Sequence, residues 1–231
     1  MKTFFAQLKW QFILLQRNNI ISISFGVTLI YGLILYLLRD VGSFHAFLVA
    51  LVLNDPSVIG YFFIGLAIYT EIKHQILSAI LVAPISIHHL IISKVLALSV
   101  IGVVCSIGLA VSVLGLEFDM LSYATGSFGI CVLSALLGIA MLTYTSEFLK
   151  FTLVSIPVFL VFVNLPLLQY LGIVDLGIVK YILPIQGSVD LIDYSISETS
   201  INIWLSTLSL VLYIPIFYAF AYRRFTKKLV T

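Results

Sequence analysis

Residues 95–116 read VLALSVIGVVCSIGLAVSVLGL, a run of 22 residues without a charged side chain. A helix needs about 20 apolar residues to cross the hydrocarbon core of a bilayer, so this run predicts a transmembrane helix. It is too long and too evenly apolar for a strand of a membrane β-barrel, in which apolar residues alternate over about ten positions. The sequence therefore predicts an all-α membrane protein.

Five further apolar runs of similar length occur in the chain. The composition agrees with them, because 61% of the residues are hydrophobic, 10% are charged and the mean hydropathy is +1.18, outside the range of soluble domains. No stretch between the runs is long enough for a second domain, so residues 1–231 form one transmembrane domain of six spans. The further runs are Ile20 to Leu38, Leu48 to Thr70 (interrupted near its start by Asn54-Asp55-Pro56), Leu121 to Tyr144, Phe151 to Leu171 and Ile201 to Tyr222.

The distribution of basic residues predicts the orientation. With the N-terminus in the cytoplasm, all of the 12 lysines and arginines except Arg39 and Lys180 fall on the cytoplasmic side, as the positive-inside rule requires. This predicts a multi-pass protein of the cytoplasmic membrane with both termini in the cytoplasm. No basic domain is present, so binding of nucleic acid is excluded.

Residues 1–19, before the first span, predict a helix that lies along the membrane surface. Apolar side chains recur there among polar ones, with Gln16 and Arg17 near the end. An amphipathic helix of this composition is typical of the interface, and Trp10 suits the headgroup layer.

Residues 71–94 join the second and third spans and carry Glu71, Lys73 and Lys94 near their ends. Pro84 ends the helical pattern, because its ring removes a backbone hydrogen-bond donor. We expect a short amphipathic helix at the interface that can take force from a partner protein. Its apolar face consists of Ile72, Ile76, Leu77, Ile80 and Leu81.

Residues 172–200 form the longest stretch outside the spans. Two interpretations are open for this mildly acidic segment. It could fold into short helices that dip into the outer leaflet, or it could be an ordinary folded outer loop.

Motifs for chemistry are missing from the sequence. It contains no G-x-x-x-x-G-K-[ST] phosphate loop, no H-E-x-x-H and no G-x-S-x-G, so we expect no catalytic, cofactor or metal site. Cys105 and Cys131 fall within predicted spans, and small residues such as Gly102, Ser106 and Gly138 predict close helix packing.

With Asp55 assigned to the outer side, no charged residue lies in the middle of a span. A transporter of this kind would need an external motor.

Four groups of residues together match the pattern of one family. The coupling segment fits the signature E…L…L-V-x-P…S-K, and the chain resembles, over nearly its whole length, the type-2 ATP-binding-cassette exporter permeases. It is most similar to the group called fluoroquinolone export permeases. Lys73-His74-Gln75 differs from the acidic or glycine-containing turn of that family. The matching residues are Trp10 with Leu15-Gln16-Arg17, then Glu71, Leu77, Leu81-Val82-Ala83-Pro84 and Ser93-Lys94, then Tyr144 with Glu147-Phe148, and finally Leu183-Pro184-Ile185-Gln186.

The resemblance implies a homodimer of permeases bound to two copies of a separate soluble ATPase, which binds ATP and magnesium. Residues 71–94 would be the coupling helix and residues 1–19 the elbow helix. Glu71 and Lys73 would contact the ATPase or lock the coupling helix to the elbow helix near Arg17. By the same resemblance, spans one, two and five would line the pathway, whose candidate lining residues are Phe62, Phe63, Tyr69, Phe159, Phe162 and Asn164.

Mainly aromatic walls suit an amphipathic small molecule, a peptide or a lipid, and the sequence leaves these substrates open. Two other functions also remain open. A membrane scaffold fits the composition but leaves the amphipathic coupling segment without a role. A secondary transporter would need a gate or an ion site within the spans.

Overall fold

The computed structural model describes residues 2–38, 44–76, 86–197 and 202–230, and every regular element in these ranges is helical. Six of the described helical stretches are long and apolar enough to cross a membrane. The prediction of an all-α membrane protein with six spans is therefore confirmed. The helices are α1 (Lys2–Arg17), α2 (Ile20–Leu38), α3 (Phe44–Lys73), α4 (Ile87–Leu114), α5 (Met120–Leu142), α6 (Phe148–Phe159), α7 (Leu165–Tyr170), α8 (Gln186–Ser197) and α9 (Ile203–Val230).

The core of the bundle lies where α3, α4 and α5 pack against one another. Small residues let these helices approach closely. A Cβ atom at Gly138 of α5 would lie 2.6 Å from the carbonyl oxygen of Tyr61 in α3. Between α4 and α5, the hydroxyls of Ser106 and Ser127 are 2.8 Å apart. The predicted role of small residues in packing is thus confirmed at these positions.

The helices at the edge of the bundle, α2 and α9, leave most of their apolar side chains exposed. In water such surfaces would be costly, whereas the acyl chains of a bilayer are a suitable environment for them. Their exposure therefore agrees with a chain that is embedded in lipid.

The fifth span is built from three helical pieces. Pro157 lies inside α6, a π-helical turn spans Leu160–Asn164, and α7 follows with Pro166 near its start. Each proline removes one backbone hydrogen-bond donor, and two of them close together on either side of the π-helical turn weaken the regular α-helical pattern in this span. Short π-helical turns of this kind are frequent at functional sites.

The Asn54-Asp55-Pro56 sequence that interrupts the second apolar run does not interrupt the helix, and Asp55, assigned from the sequence to the outer side, is buried in the bundle. Helix α3 runs through all three residues, and Asp55 is only 4% exposed inside the bundle. The amide of Asn54 donates to the carbonyl oxygen of Ala50, and the hydroxyl of Thr28 in α2 donates to the Asp55 carboxylate at 3.3 Å. Packing against neighbouring helices compensates for the proline within the membrane, where a helix is the only way to satisfy the backbone.

Residues 172–197 contain two short helices. A 3-10 helix spans Gly177–Ile182, and α8 packs against α5 and α9 with one face buried. Of the two interpretations of this region, the short helices agree with the structure, and their depth in the outer leaflet stays a prediction.

Candidate functional site

The connection between α3 and α4 is shorter than predicted. Helix α3 ends at Lys73, and Gln75 adopts a left-handed backbone conformation with φ of 58°. Helix α4 begins at Ile87, after Ser86, whose side-chain oxygen accepts a hydrogen bond from the backbone of His89. Glu71 and Lys94 therefore belong to the spans themselves, and the connecting segment comprises residues 74–86.

The structure separates Ile72 from Ile76, two members of the predicted amphipathic face. Ile72 lies in the last turn of α3, and the left-handed residue Gln75 stands between it and Ile76. Lys73 is exposed and Ile76 is half-buried. Leu77, Ile80, Leu81 and Pro84 lie outside the described residues, so the coupling helix itself stays a prediction.

Glu71 and Lys94 form an ion pair that is almost completely buried. The exposed fractions are 1% for Glu71 and 3% for Lys94, and the Lys94 ammonium donates to Oε1 of Glu71. The same ammonium donates to Oε1 of Gln11 in α1 at 3.2 Å, and Gln11 is 2% exposed. We call these three residues the polar junction. It connects the end of α3, the beginning of α4 and the surface helix α1.

The polar junction depends on all three residues being present together. Taking a carboxylate and an ammonium out of water costs several kcal/mol per ion, and only close pairing with additional hydrogen bonds offsets that cost. Gln11 supplies one such hydrogen bond. Oε2 of Glu71 and Nε2 of Gln11 have no partner among the described residues.

Helix α1 packs on α4 through one face and leaves the other face open. Leu14 and Leu15 are buried together with Gln11, whereas Trp10, Gln16 and Arg17 are exposed. The predicted link between the coupling segment and the surface helix near Arg17 therefore takes a different form. Lys94 bridges Glu71 to Gln11, and Arg17 does not take part.

A second set of contacts joins α3, α5 and α9 at the same end of the bundle. The hydroxyl of Tyr69 lies 2.7 Å from that of Thr145, in the turn after α5. The Lys228 ammonium of α9 donates to the carbonyl oxygens of Leu142, at 2.9 Å, and of Thr145. A cation at the end of a helix satisfies carbonyl groups that have no partner within it. The Lys228 side chain therefore caps the C-terminal end of α5.

The predicted pathway residues pack within the chain. Phe62 contacts Phe159 with ring centroids 5.1 Å apart, and Tyr69 contacts Phe151 at 6.1 Å. Phe162 packs on Phe217 of α9 at 5.6 Å. The positions of Phe63 and Asn164 are partly buried. Phe62, Tyr69 and Phe159 thus belong to one aromatic cluster between α3 and α6, while Phe162 and Asn164 lie in the π-helical turn.

Several residues of the site were not predicted from the sequence. Gln11, Thr145 and Lys228 carry no motif, and only their contacts show their roles. Asp55 lies about 16 helical residues before Glu71, roughly 24 Å along α3, and its burial there depends on contact with α2. Within the described ranges, no three histidine, cysteine, aspartate or glutamate side chains come together as a metal site would require.

Comparison of the sequence with models of protein families and with characterised proteins found no match. The resemblance to exporter permeases therefore rests on the sequence pattern alone.

Proposed function

We propose that this chain is the permease subunit of an ATP-binding-cassette exporter in the cytoplasmic membrane. It works as a homodimer with two copies of a separate soluble ATPase, which binds ATP and magnesium. The observation that supports this proposal most is the polar junction of Gln11, Glu71 and Lys94. It lies where α3 ends and α4 begins, on either side of segment 74–86.

The polar junction suits the transmission of force. A load on segment 74–86 reaches α3 and α4 at once, because the buried pair joins the two helices next to the points where the segment enters and leaves them. Gln11 passes the load on to α1. Breaking a buried pair is costly, so α1, α3 and α4 would move as one body while the segment is pushed.

The substrate class that fits best is amphipathic. The cluster of Phe62, Tyr69 and Phe159 is apolar and aromatic and is packed between α3 and α6, so a substrate would reach it only when these helices move apart. The π-helical turn beside it is a place where the span could change shape. Small molecules such as antibiotics, peptides and lipids all share this chemistry. An outward direction of transport follows from the resemblance to exporters.

The test of the proposal is the energy source of the purified protein. The chain alone should not hydrolyse ATP, since its sequence has no phosphate loop, whereas a complex purified from the native membrane should contain a soluble ATPase and hydrolyse ATP. Hydrolysis is measured by phosphate release for the chain in nanodiscs, with and without the co-purified subunit. If native preparations contain no ATPase, the exporter proposal fails.

Asp55 favours a second candidate function, that of a secondary transporter. A carboxyl group buried within a span is costly and commonly marks an ion or proton pathway. The same nanodiscs distinguish the two candidates when a proton gradient is applied without ATP. Transport of an amphipathic dye that follows the gradient, and that is lost in Asp55→Asn, would favour the secondary transporter over the exporter.

A further inference from the structure

A cavity of about 400 Å³ opens between the 3-10 helix Gly177–Ile182, α8 and the start of α9. This is the end of the bundle opposite the polar junction, and the cavity plays no part in the proposed coupling. Its walls combine one acid, one base, neutral hydrogen-bonding groups and apolar side chains. The residues used below are Lys180, Tyr181, Gln186, Asp190, Asn202 and Leu205.

Asp190 is held in place by its neighbours on α8 and α9. The amide nitrogen of Gln186 donates to one of its carboxylate oxygens at 2.8 Å, and the hydroxyl of Ser206 donates to the other at 3.5 Å. Burial raises the pKa of the Asp190 carboxyl, and the Gln186 amide and the charge of Lys180 lower it in part. The carboxylate is thus fixed in the wall and retains capacity to accept further hydrogen bonds.

Close packing of α8 on α9 shapes the wall around Asp190. A Cβ atom at Gly187 would lie 2.6 Å from the carbonyl oxygen of Ser206, so only glycine allows this approach. Ser206 is thereby brought beside Asp190, and the cavity is part of the folded bundle rather than a gap between mobile loops.

Lys180 and Asp190 line the same cavity without forming an ion pair. Neither forms an ion pair within the part of the chain that the structure describes, and the Lys180 ammonium instead lies 5.0 Å from the centre of the Tyr181 ring. One fixed negative group and one positive group facing a shared space suit a ligand that carries both charges. Ammonium would meet Asp190 and Asn202, and phosphate would meet Lys180 and the Tyr181 hydroxyl.

The cavity lies at the level of the membrane surface. Arg223 lies near the opposite end of α9, and Ser206 is about 26 Å from it along the helix axis. The hydrocarbon core is about 30 Å thick. If Arg223 lies at one boundary of this core, Ser206 lies close to the opposite boundary. Leu205 lines the cavity, and Trp204 and Leu208 beside it are exposed. An acyl chain that leaves the cavity would contact this apolar surface.

We infer that this cavity binds the head group of a phospholipid that carries a primary ammonium and a phosphate, as in phosphatidylethanolamine. The acceptors offered to the ammonium are the Asp190 carboxylate and the side-chain oxygen of Asn202, which also accepts from the backbone of Leu205 at 3.4 Å, and such acceptors favour a primary amine over a quaternary one. A quaternary ammonium is typically held by several aromatic faces, and here Tyr181 is the one aromatic side chain among the described lining residues.

The test is native mass spectrometry of the full-length, delipidated protein titrated with short-chain phospholipids. Phosphatidylethanolamine should bind at one site per chain, roughly tenfold more tightly than phosphatidylcholine or phosphatidylglycerol. Asp190→Asn should reduce its affinity to that of phosphatidylcholine. Lys180→Gln should weaken the binding of phosphatidylethanolamine and of phosphatidylglycerol by a similar factor. The preference for phosphatidylethanolamine should therefore remain.

The matched control is Glu117→Gln, which removes an exposed acid near the start of α5, outside this cavity, and should change nothing. Unchanged phosphatidylglycerol binding by Asp190→Asn shows that the variant is folded. The inference is overturned if Asp190→Asn binds phosphatidylethanolamine as wild type does, or if phosphatidylglycerol binds equally well. Equal competition by soluble glycerophosphoethanolamine would also overturn it, because the ligand would then not be a lipid.

Discussion

Replacing Lys94 with methionine is expected to lower the free energy of unfolding by about 3–5 kcal/mol, the usual cost of leaving one partner of a buried ion pair behind. The carboxylate of Glu71 would remain buried, and Gln11 would lose the donor that it now accepts from. Methionine keeps most of the volume of lysine, so lost packing contributes little. Thermal unfolding of the detergent-solubilised protein measures the effect.

Two further variants separate the ion pair from other causes. Replacing Glu71 and Lys94 together with methionine should recover part of the stability, because no unpaired charge then remains buried, while the buried amide of Gln11 loses its donor. Lys150→Met is the matched surface control. It breaks the exposed pair with Glu147, whose atoms are 3.8 Å apart, and should cost less than about 1 kcal/mol. A double variant no more stable than Lys94→Met would contradict the role given to the polar junction.

Gly138→Val should destabilise the bundle by about 3 kcal/mol, at the upper end of the usual cost of overpacking. The new side chain would meet the carbonyl oxygen of Tyr61 at 2.6 Å and the Cγ2 atom of Ile64 at 2.8 Å. A backbone carbonyl within a helix cannot move aside, so α3 and α5 would have to separate. Loss of the folded form is measured by the same thermal unfolding.

Gly108→Val on α4 is the control for this prediction. A Cβ atom at Gly108 would have no neighbour within 4 Å, and the residue is exposed on the apolar surface of the bundle. The same chemical change should therefore leave stability nearly unaltered. Equal losses in the two variants would mean that the close approach of α3 and α5 is not what requires glycine at position 138.

The six spans were predictable because each consists of a long apolar run, and hydrophobic length alone determines which segments can cross a bilayer. The burial of Asp55 was not predictable in this way. The charge pattern assigns Asp55 to the outer side, whereas α3 carries it into the bundle, where the hydroxyl of Thr28 donates to it. A buried polar turn of a helix cannot be distinguished from an exposed one without the tertiary contacts.

The polar junction was only partly predictable. Both Glu71 and Lys94 were recognised as charged residues near the coupling segment, but their pairing across 23 positions depends on how α3 and α4 lie side by side. Gln11 offered no signal, since a glutamine in a surface helix is ordinarily solvated. The left-handed residue Gln75 also escaped prediction, because this conformation is most common for glycine and asparagine.

The recovery of the soluble ATPase with the permease tests the central claim most directly. Ile80→Asp places a charge on the apolar face predicted for the coupling segment and should reduce recovery at least about tenfold, because burying an unpaired charge at an interface is costly. Ile178→Asp, at an exposed position near the opposite end of the bundle, is the control and should recover as much ATPase as wild type. All three proteins are compared at equal membrane expression. Equal recovery with Ile80→Asp and wild type would contradict the account, since the coupling segment would then not be the site that the ATPase binds.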